Sequence, residues 1–204
     1  VPKRTGQFAA SWVAESGTRS ETSGYTVGLE EIPAHEMYAL VDISEQDLED
    51  TVFDLEAEMQ SEFAEQFAKA EGTAHVSGNG VGQPFGFMSN GDVAQVVSGH
   101  ASTILADGLI ALVHGIKSEY AKNGTFVLLG HPYIEATDMP DEGSNTFPVA
   151  FGDFRRGYMI VDRVQMAVLR DPFTQATSGN VRYIARRRVG GQVIQAEAIV
   201  KQKC

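Results

Sequence analysis

Apolar residues recur at helical spacing from Ser44 to Glu71. Leu48, Val52, Leu55, Met59, Phe63 and Phe67 follow one another at steps of three or four, which puts them on one face of a single long helix. Ser44 and Asp47 form the capping pair expected at its start, and Gly72 is the expected stop. At about 1.5 Å per residue such a helix is roughly 40 Å long. A second helix is expected from about Asp107 to Ala121, with Leu109, Leu112, Val113, Ile116 and Tyr120 as its stripe and Asn123-Gly124 as its end. Elsewhere the period is two. Tyr25, Val27 and Leu29 alternate, as do Met37, Ala39, Val41 and Ile43, so Trp12 to Ile43 is expected to form strands around a long polar loop. A two-stranded ribbon is marginal alone in water, and this one needs a surface to lie on. Thr125 to Leu129 is expected to be a strand. From Thr146 onward the chain is β-rich, with Gly190-Gly191 expected as the hairpin turn between the last two strands. Helices and strands mix without a βαβ rhythm, which makes the fold class α+β.

Charge divides the chain. The formal net charge is −11, but residues 1–150 carry 6 basic and 23 acidic side chains, and residues 151–204 carry 10 basic and 4 acidic. The expected long helix is acidic on the face away from its stripe, from Glu45 through Glu58, Glu62 and Glu65 to Glu71. A solvated face is the ordinary fate of such a run; the alternative is a rail that meets a basic surface of this or a neighbouring subunit. So dipolar a chain suits self-association through opposite patches and is a poor general binder of nucleic acid. Arg186, Arg187 and Arg188 form the densest basic run, and on a strand they cannot all face one way. No apolar run approaches the roughly 20 residues of a membrane span, and no membrane partner is expected. The single cysteine, Cys204, excludes an internal disulfide and a cysteine-based metal site. Val1 opens without a methionine inside what reads as an extended segment, so a processed or truncated start is expected.

Candidate chemistry is thin. The five histidines, His35, His75, His100, His114 and His131, sit in no motif that pairs one with a serine nucleophile, and neither G-x-S-x-G nor H-E-x-x-H occurs. Gly78, Gly80 and Gly82 lack the G-K-[ST] ending and the G-x-G-x-x-G spacing of phosphate loops. His131 and Glu135 are four apart, but Pro132 argues against the helix that would put them on one face. No catalytic, metal-binding or cofactor-binding residue is expected. The chain is read as non-enzymatic, with a small hydrolase of unrecognised site as the remote alternative.

Several pieces taken in order resemble the major capsid proteins of tailed phages, the Hong Kong 97-type fold. They are Trp12-Val13-Ala14-Glu15; Ile43-Ser44 leading into the acidic helix; Gly78-Asn79-Gly80-Val81-Gly82-Gln83-Pro84-Phe85-Gly86; Leu129-Gly130-His131-Pro132 with Asp138-Met139-Pro140; Phe151-Gly152-Asp153-Phe154 with Tyr158, Asp162-Arg163 and Arg170-Asp171-Pro172; and Arg188-Val189-Gly190-Gly191 with Ala196 to Ala198. The resemblance covers nearly the whole chain. It implies the end of an N-terminal arm at 1–11 and an extended loop at 12–40 lying over a neighbouring subunit. It also implies a peripheral domain of 41–77 and 163–195 with a spine helix at 44–71, and an axial domain of 78–162 and 196–204.

The implied function is a subunit that self-assembles, as hexamers and pentamers, into the icosahedral shell around the double-stranded DNA of a tailed phage or prophage. An encapsulin-like compartment is the alternative. The implied partners are copies of the chain itself, with a scaffold, a prohead protease and a portal, and packaged DNA indirectly. The subunit would be made in the bacterial host cytoplasm and reside in the virion capsid. The expected subunit-interface residues are Arg19, Tyr25, Val27, Leu29, Glu58, Glu62, Arg186, Arg187 and Arg188. The chain departs from the family twice. A few tens of residues usual in the family are missing between Val127 and Leu128, so an omitted loop is expected there. No lysine lies between Lys3 and Lys69, so the isopeptide cross-link made by some members is not expected.

Overall fold

A computed structural model describes residues 2–6, 10, 13, 18, 21, 24, 26–52, 54–117, 120 and 134–204. The chain divides into two units, 1–32 and 33–204. In the first, β1 (Pro2–Gly6) pairs antiparallel with β2 (Thr26–Leu29), with Pro2 opposite Leu29 and an irregularity between Arg4 and Gly6.

The second unit holds β3 (His35–Ser44), α1 (Glu45–Asp50), α2 (Leu55–Ser77), β4 (Ala94–Val97), α3 (Ala106–Gly115), β5 (Val149–Gly152), the four-residue α4 (Phe154–Gly157), β6 (Tyr158–Asp171), β7 (Asn180–Val193) and β8 (Ile199–Lys203). Two three-stranded sheets result. One runs β3-β7-β6, antiparallel throughout; the other runs β4-β8-β5, with β4 parallel and β5 antiparallel to β8. Helices and strands are thus mixed, in agreement with the α+β expectation.

Each sheet has its own core. Phe63 and Phe67 of α2 pack on Val181, Tyr183 and Ala185 of β7, with Met37, Ala39, Met166 and Val168 around them. Fully burying a phenylalanine stabilises by about 1.5–3 kcal/mol, so these two account for much of the grip of α2 on the sheet. Leu112, Ile116 and Tyr120 pack on Phe151 and Val200 of the second sheet and on Ala198 just before β8. Between them, Val76, Phe87, Met88, Val93, Val193 and Ile199 form a third cluster, in which Phe87 meets Phe154 and Tyr158 edge-on at 5.0 and 6.1 Å. Lys201 of β8 is buried beside this cluster. Its Nζ donates to the carbonyls of Met88 (2.7 Å) and Asn90 (2.9 Å) and lies 4.6 Å from the centre of the Phe147 ring.

Several expectations are corrected. The single helix from Ser44 to Glu71 is two, broken at 51–54. Asp50 sits at the C-terminal end of α1, where the dipole disfavours an acid, whereas Asp54 caps α2 by accepting from the N–H of Ala57 at 3.1 Å. Val52, expected on the buried stripe, is fully exposed in the break, and Ser44 makes no side-chain cap bond. Gly72 does not stop α2, which continues to Ser77. The glycine there lies against the Asp138 carboxylate, 2.3 Å from where a Cβ would stand.

Nor do Gly190 and Gly191 form a turn. They lie inside β7, where Pro33 O and the His75 and Tyr158 side chains leave no room for a Cβ; the β6–β7 hairpin turns through residues 172–179. The second helix is interrupted: α3 ends at Gly115 and Ile116 is extended, while Tyr120, within the expected span, is again helical. The expected strand at Thr125–Leu129 lies outside the described residues.

Candidate assembly surface

Alternation assigns every residue of the β3-β7-β6 sheet to one of two faces. The face under α2 carries Ala39, Ala185 and Val168, which are cross-strand neighbours, and Met37 opposite Arg187. Among the described residues, no buried hydrophobic cluster lies on the other face. Its cross-strand rows are Tyr38–Arg186–Ala167, Leu40–Ile184–Leu169 and Asp42–Arg182–Asp171. Tyr38 is 76% exposed, Leu40 47% and Leu169 61%. One end of this face is fixed by a bidentate pair, with Arg182 Nε and Nη2 each donating to Asp42 at 2.7 Å. That bonding holds the Asp42 carboxyl below its ordinary range. Asp171, in the same row, is lowered by hydrogen bonds from the Thr174 hydroxyl and the N–H groups of Phe173 and Thr174.

The arginine run divides as strand geometry demands. Arg186 is exposed on the uncovered face, between Tyr38 and Ala167. Arg187 points to the α2 face, where its Nε lies 2.9 Å from Glu71 and its Nη2 2.9 Å from Asp162. Burial pushes the Glu71 carboxyl up, against the pull of Arg187. Arg188 is half-buried opposite Glu36, and its Nε has no hydrogen-bond partner. Glu58 and Glu62 are exposed on α2, and Glu62 accepts from Gln66 at 2.7 Å. Val27 and Leu29 of β2 are exposed, Leu29 at 89%. Arg19 and Tyr25 lie outside the described residues, as does His131.

The apolar row Leu40–Ile184–Leu169 was missed from sequence, yet β3 carried the signal. In HEMYALVDIS both alternating sets are apolar in the middle, Met37-Ala39-Val41 and Tyr38-Leu40. A strand apolar on both sides is one that ends up covered on both sides.

The phage capsid family model matches residues 1–128 and 127–204. The chain belongs to the phage capsid family. It is therefore a structural, non-enzymatic subunit that self-assembles into a capsid shell and resides in the virion capsid. Among solved structures, the capsid of an empty GTA particle is 31% identical, with a TM-score of 0.89 over 100% of this chain and 83% of that one. The capsid of the native GTA particle is 30% identical with the same TM-score and coverage. Gordonia phage Cozz, at 14% identity and a TM-score of 0.70 over 100% of this chain and 80% of that chain, shares the fold. No curated protein matches. These capsid likenesses do not favour the encapsulin and hydrolase alternatives. Among the described residues no helix is long and apolar enough to cross a membrane.

Proposed function

We propose that this capsid subunit closes its shell by laying the β1–β2 ribbon of one copy across the uncovered sheet face of the next. The observation that carries the proposal is the apolar cross-strand row Leu40–Ile184–Leu169, exposed at Leu40 and Leu169 and half-buried at Ile184, on a sheet whose other face packs under α2. Val27 and Leu29 supply a matching apolar pair, and the exposed Glu31 beside Leu29 complements the exposed Arg186. A contact of this size is weak alone but repeats at every subunit.

Leu29→Asp on the ribbon and Leu169→Asp on the sheet should each abolish closed particles in electron microscopy and mass photometry of the full-length protein. The thermal midpoint of the unassembled subunit should stay within a few degrees. Closed shells from both variants would refute the docking.

The finer architecture follows the Hong Kong 97 plan: an arm at 1–11, a loop at 12–40, a peripheral domain of 41–77 and 163–195 with its spine helix, and an axial domain of 78–162 and 196–204. Support comes from the separate cores under the two sheets. A segment is missing between Val127 and Leu128. The two matched parts of the family model meet there, and the chain covers only 83% of the GTA capsid chain. A gene sequence joining Val127 directly to Leu128 would sink that proposal.

Hexamers and pentamers, assembled in the bacterial cytoplasm with scaffold, protease and portal, would enclose double-stranded DNA. The acidic face of α2 would line the interior and limit sticking of DNA; finding that face on the outer surface would count against this. Without a lysine in the loop, boiled particles should run as monomers on a denaturing gel.

A further inference from the structure

The C-terminal end of α2 meets two other segments at one point. His75 Nδ1 lies 3.0 Å from the Tyr158 hydroxyl at the start of β6, and that hydroxyl donates to Phe85 O at 3.0 Å. Phe85 belongs to the glycine-rich turn 78–86, which is stitched down on both sides. Phe85 N–H donates to Gly191 O of β7 at 2.9 Å, and Phe87 and Met88 N–H donate to His75 O and Val76 O at 3.1 and 3.0 Å. Approach is so close that a Cβ on Gly191 would lie 2.4 Å from the Tyr158 oxygen and 2.5 Å from His75 Nδ1.

Proton counting fixes the histidine. A tyrosine hydroxyl has one proton, and Phe85 O can only accept, so that proton is committed. His75 Nδ1 must then carry the hydrogen and donate to the tyrosine oxygen. The neutral ring is left with its lone pair on Nε2, and that atom is buried with no partner among the described residues. A second proton could go only to Nε2. It would create a buried donor without an acceptor, and a cation in the neighbourhood of Arg187.

The charged and titratable groups around the ring are Glu71 on α2, Arg187 on β7, and Asp162 and Tyr158 on β6; Asp138 faces the previous turn, accepting from Thr73 at 3.2 Å. Burial first, and Arg187 second, hold His75 below its ordinary value against the opposing pull of Asp162.

We propose that His75 is a proton-operated latch. Neutral, it fastens the end of α2 through Tyr158 to the glycine turn; protonated, it carries an Nε2–H that has no acceptor while buried, and the turn opens to bring that group to water while the helix–sheet layer stays folded. The sign follows from linkage. A base with a depressed folded pKa gives stability that is full above its unfolded value near 6.5 and is lost as pH falls through the folded value. The proposal does not depend on how subunits dock.

Hydrogen exchange of the full-length protein, corrected for intrinsic rates, tests it. Between pH 7.5 and 5.0, protection of peptides covering 79–88 should fall at least tenfold while peptides covering 181–189 hold. His75→Gln, whose amide can still donate to Tyr158 but cannot titrate, should lose the pH response, and Tyr158→Phe should lower protection of the turn at both pH values. An equal acid response in His75→Gln would overturn the proposal by assigning the effect to a group other than His75, with Glu71, whose carboxyl burial pushes up, the first candidate. Exchange of the His75 ring C–H in the unmutated protein is the second measurement. A titration midpoint below 6.5 supports the latch, and one at or above it overturns the latch.

Discussion

Replacing Lys201 by methionine tests whether a buried ammonium stabilises this fold or burdens it. Lys201 is 2% exposed, on the central strand of the second sheet, and forms no ion pair among the described residues. Two backbone carbonyls depend on it, Met88 O and Asn90 O, both in residues less than one-tenth exposed. Methionine fills most of the space of the lysine stem but donates nothing. A buried acceptor stripped of its donor costs about 1–3 kcal/mol, so the two carbonyls together cost about 2–6. Relief from burying the charge offsets part of this, since desolvation holds Lys201 below its ordinary pKa.

The expected net loss is about 2–3 kcal/mol, which in a chain of this size lowers the thermal midpoint by roughly 5–10 °C. Urea unfolding followed by far-ultraviolet circular dichroism reads it directly. The pH dependence has a definite sign. With the folded pKa below the unfolded 10.5, the unfolded chain binds more protons between the two values, so stability rises with pH across that window. The gap between wild type and the methionine variant should therefore widen toward pH 10.5. A variant as stable as wild type at neutral pH would refute the argument, because desolvation would then outweigh both hydrogen bonds.

Phe67→Ala should cost about 3–5 kcal/mol, measured by the same unfolding curves, because it empties the contact between α2 and β7. Gly86→Ala should cost about 2–3 kcal/mol, since its Cβ would meet Val76 O at 2.5 Å and Gly78 N at 2.6 Å, both rigid backbone. Arg187→Met should cost about 1–2 kcal/mol at neutral pH by leaving the Glu71 and Asp162 carboxylates facing each other. Adding Glu71→Gln should recover most of that loss, and no recovery would remove the electrostatic explanation.

Sequence periodicity was a good guide wherever one face of an element was buried. The stripe through Phe63 and Phe67, the Met37-Ala39 face of β3 and the mixed α+β class were all legible. It failed where local rules competed. Val52 fits the helical stripe, but Asp54 is a better N-cap than a mid-helix residue, and the cap won. Gly72 and Gly191 read as stop and turn, yet at each a side chain from elsewhere, Asp138 or Tyr158, stands in the space a Cβ would take. Contacts of that kind join residues far apart in sequence and leave no local signature. The arginine run was legible only as a constraint: alternation required the three to split between faces, but which one would meet Glu71 depended on register.

The pairing of β3 with β7, His35 opposite Val189, sets the order in which the molecule can be made. β3 and α2 leave the ribosome long before β7 exists. At roughly 5–20 residues per second the delay is on the order of ten seconds, far longer than a helix takes to form. Throughout it Phe63, Phe67, Met37 and Ala39 have nothing to cover them. Until then these side chains lack their β7 partners. The helix–sheet layer of this subunit can therefore close only after β7 has been made.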